Sequence, residues 1–496
     1  MTSARRTLRT SGSVHLGVDL GTSSVKTVAV DASGATVAEA KRSYPLDTPR
    51  PGWAEQDPEA WVEATFATLR EVAAAVAARP TARDGDGRAR IAGVGLSGQM
   101  HSAVLVDAVG DPVRPAISWA DGRSSRQAAA YAERLGTERL RTVFGNPVAA
   151  GFTGPSLLWV RAEEPETYAR LRRVRLAKDH LRFRMTGDDA TDPSDASATL
   201  LFDPFRLAWA DAACERLGID PALLPPVRPS DAVAGGISDA VAASTGLPPG
   251  TPVVVGAGDQ AAAAVGVGLR DPGTLLASFG SGGQAFAPLA APAADPRLRV
   301  HLFVHAVADR WHLEGAVQNV GLALDWVRRR LRLEWSDFVD AAAAAPAGAD
   351  GVTFVPYLTG ERSPWFDAKV RGGFSGLALA HEARHLARAA LEGTTFALLE
   401  AIEACTEAGA RVDHVVLTGG GASETVHRIV ADVLDRPVAR AEVRDASARG
   451  AAVLAGAPAA PLDLGRVAVP GPDAQAHRGA FVRYRARARE AAKRSG

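Results

Sequence analysis

The segment Asp19-Leu20-Gly21-Thr22-Ser23-Ser24-Val25-Lys26 gathers a carboxylate, a glycine and three hydroxyls into one strand, turn and strand. A turn of this kind aims backbone N–H groups at a phosphate, and the adjacent carboxylate can hold the hydrated Mg²⁺ that accompanies a nucleotide. Taken alone, an ordinary hairpin capped by Asp19 reads equally well. Two further glycine turns, Gly280-Ser281-Gly282-Gly283 and Gly419-Gly420-Gly421, shift the balance. Three such turns at strand ends suit a nucleotide held between two lobes. Asp259 follows a buried apolar run and opens an alanine-rich helix. A helix N-terminus stabilises a carboxylate as its anion, and such a group in a cleft can accept a proton from a hydroxyl. From local sequence alone, a plain N-cap is the stronger reading of Asp259.

Other segments imitate familiar sites. Gly93-Val94-Gly95-Leu96-Ser97-Gly98 fits a dinucleotide fingerprint, but Gln99-Met100-His101 and a strand follow it where a helix is required. Gly256-Ala257-Gly258-Asp259-Gln260-Ala261 is better placed, yet lacks the acidic ribose partner about 20 residues on. None of the five lysines follows a glycine, which removes a Walker A loop. His301, His305 and His312 have no carboxylate or cysteine at ligand spacing and read as packed or surface histidines. The basic stretch from Arg478 to Arg494 reads as a solvated helix face.

Positioning these residues falls to a repeated pattern. A meander of strands over 14–20, 25–30 and 35–42 precedes a helix from Asp57-Pro58 to about 78, with Asp57 at the N-cap and proline at the first helical position. Strands follow over 91–96 and 103–106, then a helix over 123–135. A second round starts near 253, with strands at 253–255, 274–279, 300–306 and 310–316. Helices at 318–332, 336–345 and 381–408, a strand at 415–417 and a helix at 423–434 complete it. The segment Val18–Ser23 echoes Ala277–Gly282, the clearest internal match. The class is mixed α/β.

Length and composition bound the function. At about 150 residues per domain, 496 residues make two or three domains. The 56 basic and 56 acidic residues cancel, which argues against a nucleic-acid partner. Cys214 and Cys405 are isolated and read as buried free thiols. Arg5-Arg6 is followed by no apolar stretch, and the uncharged runs 142–160 and 272–294 are broken by Gly and Pro. No membrane span and a cytoplasmic location are expected.

The motifs taken in order resemble the FGGY family of carbohydrate kinases, and within it the xylulokinase branch, over residues 14–456. Asp19–Lys26 resembles its first phosphate turn, and Trp53-Ala54-Glu55-Gln56-Asp57-Pro58 its early loop. Gln99-Met100-His101 resembles the sugar-site tripeptide, and Trp119-Ala120-Asp121-Gly122-Arg123 a further segment. Gly256–Ala261 resembles the segment of the catalytic aspartate. Pro356–Pro364, 372–392 and Leu417–Ala422 match signatures of the second half. The resemblance implies two actin-like lobes of the ribonuclease H type, with sugar and ATP meeting in the cleft. It implies Asp259 as general base, and Gln99, Met100, His101 and Gln260 beside the sugar. It implies Asp19 near Mg²⁺ through water, and Gly21, Thr22, Ser23, Lys26, Gly280, Ser281, Gly282, Gly419, Gly420 and Gly421 around the nucleotide. The expected division is an extension 1–13, a sugar-binding lobe 14–268, a nucleotide-binding lobe 269–460 and a tail 461–496. The implied reaction is ATP-dependent phosphorylation of a ketose, D-xylulose first. Ala120, Ser156 and Gln260 depart from the xylulokinase pattern and keep ribulose, glycerol and gluconate open as acceptors. A non-catalytic actin-like regulator and an NAD-dependent dehydrogenase are the competing classes. The oligomeric state is left open, a homodimer included.

Overall fold

The computed structural model describes residues 13–79, 90–419, 423–441, 444–462 and 464–495. The expected loop at 80–89 and nearly all of the expected extension 1–13 lie outside them. Two seven-stranded mixed sheets dominate. In the first, Val14–Leu20 pairs antiparallel with Ser24–Val30, which pairs antiparallel with Thr36–Ser43. On its other side Val14–Leu20 runs parallel to Ile91–Gly98, which runs parallel to Pro252–Val254. The second sheet repeats the plan. Gly273–Phe279 pairs antiparallel with Gly283–Leu289 and parallel with Val412–Thr418, which is parallel to Val438–Arg440. Trp311–Val317 takes the place of the third meander strand. The echo between 18–23 and 277–282 is thus two equivalent hairpin turns.

Alternation along Val14–Leu20 explains the layers. Leu16, Val18 and Leu20 are buried with Trp61, Leu69, Val72 and Val76 of the helix Pro58–Ala77. That helix starts where expected, with the Asp57 side chain accepting from Glu59 N. Residues of the opposite face must be small. Gly17 lies beside Gly95 in register, and a Cβ on either would stand 1.8 Å from a carbonyl oxygen of the helix Ala446–Leu454, that of Ala448 or Ala451. A helix from the end of the second half therefore lies on the sheet of the first. It also crosses the helix Asp259–Gly266, where a Cβ at Gly450 would stand 1.8 Å from Ala262 O and one at Gly266 2.0 Å from Ala446 O. Ala264 and Val267 in turn pack with Phe286, against which Leu276 also sits. The layer between the two sheets is built from one helix of each half.

Several expected boundaries shift by a few residues. The expected helix 318–332 is Gly321–Leu331, 336–345 is Trp335–Ala344 and 381–408 is Ala383–Glu407. The strand at 300–306 is only His301–Val304; beyond it the His305 backbone N–H donates to Arg310 O at 2.9 Å and closes the turn into Trp311–Val317. Gly93–Gly98 lies within the strand Ile91–Gly98 and forms no phosphate turn. The basic tail is the helix Ala474–Ser495. One face of it is not solvated: Ala480, Tyr484 and Ala488 are buried in the second core. Among the described residues no helix is long and apolar enough to cross a membrane.

Candidate active site

The first turn joins Val14–Leu20 to Ser24–Val30 and is closed by Gly21 N donating to Ser24 O at 3.1 Å. Three neighbours fix it. Gln56 Nε2 donates to Thr22 O at 2.7 Å, Trp119 Nε1 donates to Thr22 Oγ1 at 2.9 Å, and Tyr44 N donates to Ser23 O at 3.2 Å. Asp19, at the strand end, accepts from Ser97 Oγ at 3.0 Å. Burial pushes its carboxyl up to about 6; the Ser97 bond opposes this and Asp445 adds to it. Lys26 lies opposite Asp19 in register. Its ammonium pairs with Asp445 at 2.7 Å and Glu39 at 3.1 Å.

Asp259 is the first residue of its helix, and its Oδ1 accepts from Gln260 N at 2.8 Å. The carboxyl lies between the lobes with a partial opening into a cavity. Burial, then the charges of Asp19, Glu314 and Asp195, raise it well above the ordinary carboxylate range. A carboxylate raised in this way has a greater affinity for a proton than an exposed one.

The cavity measures about 150 Å³. The first lobe contributes Thr22, Met100, His101, Trp119, Asp259 and Gln260 to its wall. His101 sits at φ +67, a region few non-glycine residues adopt. Its Nδ1 is 2.5 Å from Ala198 O, and burial lowers its pKa to about 4, so the ring is neutral. Met100 packs against Gly258, where a Cβ would meet Met100 Cγ at 2.9 Å. Gln99 stands one layer back: its N–H donates to Leu20 O, and its Nε2 donates to Gln56 Oε1, the residue that holds Thr22.

The second lobe supplies wall residues that the sequence did not single out, Gln284, Phe303, Glu314, Arg362 and Phe366, together with His301, which reads in the sequence as a packed or surface histidine. Burial pushes Glu314 up to about 7, although Arg362 pulls it down. Arg362 lies in the Pro356–Pro364 signature, and Gln284 directly follows the second glycine turn, so both carried a signal. Glu314 and Phe303 sit in apolar strands and carried none. His301 Nδ1 is 3.0 Å from Asn146 Oδ1, and its ring stacks on Phe303. His312 stacks on Phe286. Among the described residues no three metal-type side chains converge.

The second glycine turn faces a different space. Gly280 and Ser281 line a pocket of about 1000 Å³ with Gly321, Trp335, Ser423 and Arg440. Gly321 N and Leu322 N donate to Gly280 O and Ser281 O, at 2.9 and 3.0 Å. Gly282 lies against Val317 O. Gly419, at φ +114, approaches Phe279 O so closely that a Cβ would stand 2.4 Å away. Gly420 and Gly421 lie outside the described residues. The structure thus brings Thr22, Met100, His101, Asp259 and Gln260 to one small cavity, and Gly280 and Ser281 to a larger one.

Comparison with known proteins bears on the chain as a whole. Residues 14–266 match the N-terminal domain of the FGGY family of carbohydrate kinases, and residues 275–459 match its C-terminal domain. The chain is 38% identical over 443 residues to the xylulose kinase of Bacillus subtilis, covering 89% of this chain and 87% of that protein. It is 31% identical over 457 residues to the gluconokinase of the same organism, covering 89% and 87%. The crystal structure of xylulose kinase from Rhodospirillum rubrum superposes with a TM-score of 0.88 at 30% identity, covering 95% of this chain and 97% of that one. With both family domains matched in order and a two-lobed α/β structure that carries them, the chain belongs to the FGGY family of carbohydrate kinases.

Proposed function

We propose that the chain transfers the terminal phosphoryl group of ATP to the terminal hydroxyl of D-xylulose, with Asp259 as the general base. The observation that carries this reading is the cavity at Asp259. At about 30 Å³ per water its 150 Å³ is the room of a few waters, the size class of a small polyol or ketose. Its walls alternate polar groups (Thr22, Asp259, Gln260, Gln284) with aromatic and apolar ones (Met100, Trp119, Phe303), as a sugar site requires. Phosphoryl transfer asks for positioning and charge neutralisation more than covalent chemistry. Asp259 accepts the hydroxyl proton as the bond to phosphorus forms, and the neutral His101 ring and Gln260 orient the sugar. The larger pocket past Gly280 and Ser281 takes the nucleoside, leaving its phosphates to the turns at Gly21–Ser23 and Gly280–Gly282.

The residues present fit a divalent cation. Asp19 and Asp259 are both raised by burial, each feels further carboxylate charge, and among the described residues neither forms a salt bridge. Asp19 would hold hydrated Mg²⁺. The ion, when bound, neutralises phosphate charge that backbone N–H groups alone leave uncompensated.

A sugar acid is the second reading. Arg362 in the cavity wall favours a carboxylate, whereas Glu314 in the same wall opposes one. ADP release across D-xylulose, D-ribulose, glycerol and D-gluconate separates the readings. D-Xylulose is expected to lead in kcat/KM by at least about ten-fold, the lower part of the range that one unsatisfied buried polar group costs. A higher value for gluconate replaces the ketose, and ADP release with none of the four removes all four as acceptors.

A further inference from the structure

The basic tail has a use that phosphoryl transfer does not absorb. Between the helix Ala474–Ser495 and the ribbon formed by Thr353–Val355 and Gly373–Ser375 lies a pocket of about 520 Å³. Four cations line it, Lys369 and Arg371 from the loop and Arg487 and Arg494 from the helix, against a single carboxylate, Glu490. Arg487 Nη1 and Arg494 Nη2 both donate to Glu490, so two guanidiniums share one charge. Among the described residues Arg371 Nη1 donates only to the backbone oxygens of Ala368 and Val370. The floor is open: a Cβ at Gly373 would meet nothing within 4 Å. A chain with no net charge therefore concentrates three excess positive charges in one concavity of ligand size.

We propose that this pocket binds a small phosphate-bearing anion and that its occupancy is felt in the sugar cavity. Guanidinium and ammonium groups on two elements are the donor set that phosphate oxygens select. The route to the cavity is short. The loop that ends in Lys369 and Arg371 begins with Arg362 and Phe366, both in the cavity wall. It is closed by Glu361 and Asp367, which exchange backbone hydrogen bonds at 2.9 Å in both directions. Trp365 Nε1 donates to Tyr357 OH at 2.7 Å, and Tyr357 OH lies 2.8 Å from Tyr484 OH on the helix that carries Arg487 and Arg494. An anion bridging loop and helix would fix the spacing of the two elements that this buried chain connects. The second half of the proposal rests on the kinase reading; the first does not.

The test is calorimetry on the full chain with its nucleotide pocket filled by a non-hydrolysable ATP analogue. Inorganic phosphate, pyrophosphate and glucose 6-phosphate are the probes, so that a free phosphate and a sugar phosphate are told apart. Binding by at least one probe at about millimolar affinity or tighter is expected, weakening with salt. The double variant Lys369→Ala, Arg494→Ala should weaken it at least about ten-fold while the ATP analogue binds as before. No binding by any probe, or equal binding by the variant, overturns the site. In turnover assays the bound probe should shift the sugar KM at least about three-fold in the wild type and not in the variant. An unchanged KM with binding intact overturns the link to the cavity.

Discussion

The Ser194 hydroxyl accepts the Gly258 backbone N–H at 3.0 Å, one residue before Asp259. The same hydroxyl donates to Asp192 Oδ2 at 2.5 Å, and Asp192 Oδ2 also accepts from Ser230 Oγ at 2.8 Å. Behind them the fully buried Lys178 stands 2.7 to 3.1 Å from carboxylate oxygens of Asp179, Asp192 and Asp195. Burial opposes its charge, and the three carboxylates outweigh that and hold it protonated. The peptide that carries Asp259 into the cleft is thus tied to a buried charge cluster.

Ser194→Ala removes the acceptor of a buried N–H and should cost about 1–3 kcal/mol of stability. Because Gly258 sets the start of the Asp259 helix, kcat should fall about ten-fold or more while the ATP KM stays within two-fold. Ser194→Thr, which keeps the hydroxyl, should recover most of the kcat. Steady-state kinetics with chemical denaturation checks both numbers, and equal loss in the Ala and Thr variants would leave Ser194 a packing residue only.

Asp259→Asn should lower kcat by about 10²–10⁴-fold, the range of a lost general base. Its stability should move the other way. The folded pKa of Asp259 is raised, so the folded chain keeps a proton that the unfolded chain has lost. Stability is therefore forfeited as pH rises from the ordinary carboxyl value toward the raised one. Asn carries no such penalty. The melting temperature of the variant should exceed that of the wild type at pH 8, with the difference closing toward pH 4.

Glu314 supplies a pH-dependent selectivity. Its pKa, raised from 4.5 to about 7 by burial, places the loss of its proton between pH 6 and 8, where the cavity gains a negative charge. The KM for gluconate should rise over that interval while the KM for D-xylulose stays flat, and Glu314→Gln should remove the rise for gluconate. In stability the sign is that of a raised carboxyl, a loss as pH climbs from 4.5 to about 7.

Gly450→Ala inserts a methyl 1.8 Å from Ala262 O, inside backbone contact. The two interlobe helices must separate, at about 1–3 kcal/mol for overpacking. A lower denaturation midpoint with an unchanged slope would confirm it; a midpoint equal to wild type would show that the crossing relaxes freely.

What the sequence discloses follows contact range. The first hairpin and its echo are local, written in alternation and in glycine turns, and both appear where expected. The helix start at Asp259 is visible locally but reads as a plain N-cap, and only the order of motifs along the whole chain offers it another role. Glu314 and Phe303 are separated in sequence from Asp259 by more than forty residues and sit among apolar neighbours; only the closing of one lobe on the other gives them a role. Gln99 and Met100 are adjacent, yet the bend at His101, with its positive φ, turns Met100 and His101 into the cavity and leaves Gln99 supporting Gln56. Lys26 looked free to meet a phosphate. Its partners Glu39 and Asp445 come from a neighbouring strand and from a helix start over four hundred residues later.

The helix Ala446–Leu454 lies against Gly17 and Gly95 of the first sheet although it belongs to the C-terminal family domain. The order of the chain and its division into folding units therefore differ. A fragment ending between the two family domains would expose the face of its sheet that those glycines line, and the remaining fragment would keep a helix with nothing beneath it. Neither half is a finished object when the ribosome releases it, and the first must wait for nearly the whole chain before its last layer arrives.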